Sequence, residues 1–196
     1  MSSRRFALVL AVVLVVAAGF ILLSRRQPVV YHGTYLSPPM PAAEFTLHAD
    51  DGPVSLSDFR GRAVALFFGY TSCPDVCPTT LLRLSNAMEV LGEKRDEVQV
   101  VFISVDPERD TPERASRYAE AVDPGFVGLS GSPEEIADVA AQYGIYYAKA
   151  EGSDATGYLV DHSATITVLN ENGQVVLLWS PDLTAEEMAL DLEALL

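Results

Sequence analysis

The sequence predicts one α/β domain, a central mixed sheet flanked by helices, behind an N-terminal transmembrane helix. Phe6 to Leu23 runs for 18 positions without a charged side chain. Two almost wholly apolar runs, 63–69 and 98–105, have strand length and the composition of strands covered on both faces. Helical patterns opened by capping residues alternate with them, and a strand pair around Asn170-Glu171-Asn172-Gly173 follows near the C-terminus.

The N-terminal run is flanked by Arg4-Arg5 and Ser24-Arg25-Arg26. As a helix it would be roughly 27 Å long, just enough to cross a bilayer core. Ala17-Ala18-Gly19 offers small residues for a cleaved signal peptide, but the apolar run continues past them to Leu23, which favours an uncleaved anchor. No cysteine follows it, so a lipoprotein anchor is excluded. Residues 1–5 are then a short cytoplasmic lead, 6–23 the anchor, 24–43 a tether spaced by Pro28, Pro38, Pro39 and Pro41, and 44–196 the folded domain. The short lead argues against a mitochondrial transit peptide, so the expected location is the bacterial inner membrane, with the domain in the periplasm. Without the four flanking arginines the chain has 9 basic against 27 acidic residues, about −18. Such a domain repels nucleic acid and anionic lipid and attracts basic proteins or cations.

Within the domain, Phe45-Thr46-Leu47-His48 and Val54-Ser55-Leu56 enclose a turn at Asp50-Asp51-Gly52-Pro53. The strand 63–69 leads into a helix from about Thr79, with Leu81, Leu82, Leu84, Met88 and Leu91 at helical spacing and Gly92 closing it. The strand 98–105 ends at Asp106-Pro107. Thr111-Pro112-Glu113 and Ser132-Pro133-Glu134-Glu135 each open a helix with a cap, a proline and early acids, on either side of a short strand at 126–130. A hairpin, 163–169 with 174–179, and a helix capped by Thr184 complete the order of a thioredoxin-like domain.

Cys73 and Cys77 are the only cysteines, and they lie between the first buried strand and its helix. Thiols there are acidified by unpaired backbone amides and the helix dipole, while Asp75 opposes ionisation. The pair suits a soft metal, a disulfide, or both in turn. A purely structural disulfide would close a very small loop and add little stability. Thioredoxin-type reductases space the two thiols by two residues and carry a proline facing them. Here three residues intervene, and Tyr158 to Thr165 contains no proline but does contain His162. Two thiolates and an imidazole form a three-ligand soft site that suits Cu(I) and admits Cu(II); structural zinc would want a fourth ligand. His32 and His48 read as surface histidines, and Met88 as core. The charged loop Asp106, Glu108, Arg109, Asp110 sits at the sheet edge of the thiols, lining the site or simply solvated.

Three ordered motifs, 68–78 (Phe-Gly-Tyr-Thr-Ser-Cys-Pro-Asp-Val-Cys-Pro), 104–112 (Ser-Val-Asp-Pro-Glu-Arg-Asp-Thr-Pro) and 160–163 (Val-Asp-His-Ser), resemble the Sco/SenC family of copper chaperones. The resemblance covers most of 44–196 and extends to the anchor and tether. It implies a thioredoxin-like fold that binds one copper through Cys73, Cys77 and His162. It also implies a role in assembling the binuclear copper site of cytochrome c oxidase, by delivering copper, by reducing that site's cysteines, or both. The expected partners are the copper-bearing oxidase subunit, other periplasmic copper chaperones or thiol reductants, and no nucleic acid. The rival readings are a thiol-disulfide reductase, in which the cysteines matter and His162 does not, and a redox sensor using the same site.

Overall fold

The computed structural model describes residues 11–14, 30–153 and 157–196. Residues 11–14 are helical, and the rest of the expected span 6–23 lies outside the described residues. Among those described, no helix is long and apolar enough to cross a membrane.

Tyr31 to Leu196 form one compact unit. Its main sheet has six strands in the order β1 (Thr34–Pro41), β10 (Gln174–Trp179), β9 (Ile166–Leu169), β4 (Ala63–Gly69), β5 (Val98–Ser104), β6 (Val127–Leu129). The run β4-β5-β6 is parallel, with Gly69 beside Ser104, whereas β9 meets β4 antiparallel. The folded unit therefore begins ahead of Glu44, because part of the expected tether is a strand of the sheet. Thr34 pairs with Leu178 and Tyr35 with Leu177, and the register shifts before Met40 meets Val175. Pro38, Pro39 and Pro41 disguise this strand, since proline cannot donate to a ladder and is confined to edges and irregular pairings. β1 is such an edge.

The two apolar runs lie buried along their whole length, as their composition requires. Helix α1 (Val76–Leu91) buries Leu81, Leu84 and Met88 but leaves Leu82 exposed, a departure from the expected apolar face. Gly92, at φ 59°, ends it in the left-handed region. Helix α2 (Pro112–Val122) is capped by Thr111, and α3 (Pro133–Gln142) by Ser132 in a capping box with Glu135. Helix α4 (Ala185–Leu195), with the same box between Thr184 and Glu187, packs on α1. Strands β2 (Thr46–Ala49) and β3 (Gly52–Ser55) form the expected small hairpin. A second hairpin, β7 (Tyr147–Ala150) with β8 (Leu159–His162), is new. Its long connection, rich in turn formers, hid it from the sequence pattern. His162 therefore closes β8, and β9 begins only at Ile166, so the histidine does not enter the main-sheet strand as expected.

Candidate metal centre

The site forms where β4 runs out. Val105 N–H donates to the Gly69 carbonyl at 2.8 Å, and Cys73 N–H to the Tyr70 carbonyl at 3.2 Å, turning the chain between strand and helix. Asp75 is the N-cap of α1, without a side-chain capping bond. Cys73 is thus in the preceding turn, half-buried, and Cys77 in the first helical turn, wholly buried. Cys77 N–H points at Cys73 Sγ, 3.4 Å away. The third group arrives from β8: His162 Nε2 is 3.5 Å from Cys77 Sγ. Nδ1–H of His162 donates to the Ser163 carbonyl at 3.0 Å, which leaves the lone pair on Nε2, facing the sulfurs. Tyr70 and Phe67 hold the ring by edge-on contacts, at centroid distances of 5.9 and 6.4 Å. One ligand atom from each of Cys73, Cys77 and His162 lies within 4.8 Å of the others, and no further His, Cys, Asp or Glu among the described residues joins the group.

The two thiols are unequal. Cys77 S–H donates to Cys73, and with the Asp75 and Cys77 backbone amides this lowers the Cys73 thiol to about 3, against the opposing effect of burial. Cys77, acting as that donor and buried, is pushed far up. The pair therefore carries one thiolate and one thiol at neutral pH, so the acidification expected from the helix end falls on one sulfur only, in spite of Asp75. Alkylation of Cys73 by iodoacetamide should accordingly stay nearly constant from pH 7 down to about pH 5, where an ordinary thiol slows about tenfold per pH unit. A tenfold loss per unit across that range would contradict a preformed thiolate.

Gly69 makes room for the buried sulfur. A Cβ there would sit 2.9 Å from Cys77 Sγ and 3.0 Å from Phe102 Cε2. Gly69→Ala is expected to cost about 1–3 kcal/mol through overpacking and to lower affinity at the centre. Denaturant unfolding and metal titration of the same variant check both parts.

The charged loop after β5 does not float in solvent. Asp110, fully buried, accepts from Thr71 N–H at 2.8 Å, from Thr71 Oγ1–H at 2.6 Å and from Ser104 Oγ–H at 2.6 Å. Arg114 approaches Asp110 at 3.4 Å and donates to Thr71 Oγ1 at 2.7 Å and Ser72 Oγ at 3.1 Å. The turn before Cys73 is thereby pinned to β5. Asp106, 3% exposed, pairs with Arg109 and accepts from the Tyr158 hydroxyl at 2.6 Å. Arg109 donates to the Tyr158 carbonyl at 2.8 Å and stacks on the Tyr158 ring at 3.7 Å. Lys149, paired with Glu108 at 2.6 Å, covers the same ring at 4.7 Å. This cluster clamps the β7–β8 hairpin, and with it His162, to the domain. Sequence reasoning placed the loop at the right edge but missed the buried roles of Asp106 and Asp110 and the whole contribution of Tyr158. A buried acid in a loop looks like a solvated one until its donors are in place.

His32 and His48 lie elsewhere. His32 Nδ1 contacts Asp191 at 3.0 Å and His48 Nε2 lies 3.6 Å from Glu135. Met88 is core.

A thioredoxin-like sheet with a Cys-x-x-x-Cys turn and an opposed histidine defines a class of soft-metal and thiol-redox proteins. Comparison with known proteins places this chain within that class: the SCO1/SenC family model matches residues 35–196, and the chain belongs to that family. An SCO2-like protein of Rickettsia conorii is 31% identical over 190 residues, covering 94% of this chain and 93% of the relative. The solution structure of apo Sco1 from Thermus thermophilus matches with a TM-score of 0.77 and 51% identity, over 85% of this chain and 98% of that one. ScoI of Bradyrhizobium japonicum, solved with copper bound, matches with a TM-score of 0.72 and 40% identity, over 80% and 99%.

Proposed function

We propose that this chain is a membrane-anchored copper-binding chaperone of the SCO1/SenC type. It would hold one copper through Cys73, Cys77 and His162, and deliver copper to the binuclear copper site of cytochrome c oxidase, reduce that site's cysteines, or both. The observation that carries the reading is the convergence of two sulfurs and one correctly oriented imidazole nitrogen within 4.8 Å. The copper-bound Bradyrhizobium relative supports the choice of metal, and the donor set suits it: two sulfurs stabilise Cu(I), and the nitrogen keeps Cu(II) accessible. Residues 6–23 would anchor the chain in the bacterial inner membrane with the domain in the periplasm, where the copper-bearing oxidase subunit, other copper chaperones or thiol reductants would meet it.

Cys73 enters the site already ionised, whereas Cys77 must release a proton when metal binds. Affinity should therefore fall as pH is lowered, because protons compete with the metal at Cys77. The clamp on the hairpin keeps His162 facing the sulfurs in the metal-free form, so little chain need be ordered on binding. The unequal thiols also favour a second reading, a thiol-disulfide reductase or redox sensor, since a preformed thiolate beside a protonated partner is poised for exchange.

Anaerobic titration of the reduced full-length chain in detergent with Cu(I), against a competing chelator, separates the two. One copper per chain is expected, with affinity reduced more than about a hundredfold by Cys73→Ser or His162→Ala. Unchanged affinity in His162→Ala, with a readily cycled Cys73–Cys77 disulfide, would leave the reductase.

A further inference from the structure

Beside the thiols lies an open pocket of about 260 Å³, lined by Tyr70, Pro74, Val76, Leu159, Val160 and Ala164 together with Cys73, His162, Asp75 and Asp161. Two large apolar side chains stand out near it. Val76, in the pocket wall, is 41% exposed. Tyr146 is 66% exposed and is tied to the residue after His162, its N–H donating to Ser163 Oγ at 3.1 Å and its carbonyl accepting from Ser163 N–H at 2.9 Å. The charges around the pocket divide sharply. Among the described residues, the nearby cations are matched: Arg109 by Asp106, Arg114 by Asp110, Lys149 by Glu108. The exposed carboxylates of Asp75 and Asp161 have, among the described residues, neither a cation nor a hydrogen-bond donor. An apolar hollow next to the Cys73 sulfur, with two unbalanced negative charges in its wall, is complementary to a positive partner.

We propose that this face docks a protein segment that carries a cysteine between basic residues, with an apolar side chain entering the pocket beside Cys73. The proposal rests on the reading of Cys73 and Cys77 as a site that exchanges with partner thiols. It adds the sign of the partner's charge and the two residues that select it. Asp75 stands on the helix side of the thiols and Asp161 on the hairpin side, one residue before His162, so basic residues flanking an incoming cysteine would meet a carboxylate on each side.

The test uses symmetric disulfides of three tripeptides, Lys-Cys-Lys, Gly-Cys-Gly and Glu-Cys-Glu, as oxidants of the reduced, metal-free full-length chain in neutral detergent. Cys73 sulfur attacks one probe sulfur, the probe S–S bond breaks and one peptide leaves as a thiolate. Cys77 sulfur, its proton passing to solvent, then attacks Cys73 sulfur, closing the protein disulfide and releasing the second peptide. Two electrons pass from the protein to the probe: the thiolate and thiol of the protein become its disulfide, the probe becomes one peptide thiolate and one peptide thiol, and the single proton released by Cys77 balances the latter. At low ionic strength the Lys probe should react at least about tenfold faster than the Glu probe. Asp75→Asn with Asp161→Asn should shrink that ratio about three- to tenfold, with the Gly probe correcting for any change in Cys73 reactivity. The exposed remote pair Glu120→Gln with Glu171→Gln should leave the ratio within about twofold.

An equal loss in the remote pair would show that net charge alone steers the probes, and an unchanged ratio in the Asn pair would remove the two carboxylates from the selection; either overturns the proposal. Failure of all three probes to react would overturn it too, since the face would then be closed to partner thiols. Copper takes no part in the assay, so a failed Cu(I) titration with an intact probe ratio would sink the metal reading and leave the docking face standing.

Discussion

Asp110→Ala is expected to lower stability by about 3–5 kcal/mol and to weaken metal binding in whatever protein remains folded. The carboxylate is fully buried and takes three hydrogen bonds, two of them from Thr71 and one from Ser104, with Arg114 close by. Truncation leaves Thr71 N–H and two hydroxyls short of an acceptor, in a place water reaches poorly. Two of those groups belong to the residue that starts the turn into Cys73, so the loss propagates directly to the thiolate. Trp179, the sole tryptophan and fully buried, reports global unfolding from a site remote from this turn. Denaturant curves followed by its fluorescence, with a Cu(I) titration of the folded variant, check both consequences. A variant within about 1 kcal/mol of the parent chain would mean that the turn holds itself without the carboxylate.

The second large effect is expected at another buried aspartate, Asp191. Asp191 on α4 is 1% exposed and accepts from His32 N–H at 2.8 Å, Gly33 N–H at 2.9 Å and Trp179 Nε1–H at 2.9 Å, with His32 Nδ1 at 3.0 Å. One carboxylate therefore ties the entry of β1, the end of β10 and the last helix together. The approach is tight: a Cβ on Gly33 would lie 2.4 Å from Trp179 Cδ1. Asp191→Ala should cost about 3–5 kcal/mol by stranding these donors, release residues 31–33 and shift Trp179 emission even in the native state. Cys73 alkylation should be unaffected, because the latch touches none of the residues that hold the thiols. Slowed alkylation in this variant would show coupling between the latch and the site. A loss of less than about 1 kcal/mol would mean that water satisfies the donors after all.

What could be read along the chain was whatever a local pattern encodes. The strand Ala63–Gly69 was legible to the residue because it is apolar throughout and bounded by charge and turn. The helices after Thr111, Ser132 and Thr184 were legible because a cap, an acid and a helical repeat coincide within four residues. Strand β1 was not, because its prolines carry a tether's signature and only its pairing with β10 makes it a strand. The β7–β8 hairpin was not, because four-residue strands separated by a long loop lack a turn signal to join them.

The same division holds at the site. Cys73, Cys77 and His162 could be named in advance because their residue types, spacing and flanking motifs are chemical facts of the chain. Their inequality could not: which sulfur is ionised depends on where Cys77 S–H and the α1 amides point. Nor could the positions of Asp106, Asp110, Arg109 and Tyr158, whose partners lie between 3 and 52 residues away. The sequence alone determined the class of fold, the candidate donor residues and the acidic balance, which were legible from composition, pattern and short motifs. Only the tertiary structure decided the geometry of the centre, the clamp that presents His162 and the latch that seats β1. These rest on buried charges whose energies are settled by distant donors, and a charge is a surface group or a keystone according to what folds around it.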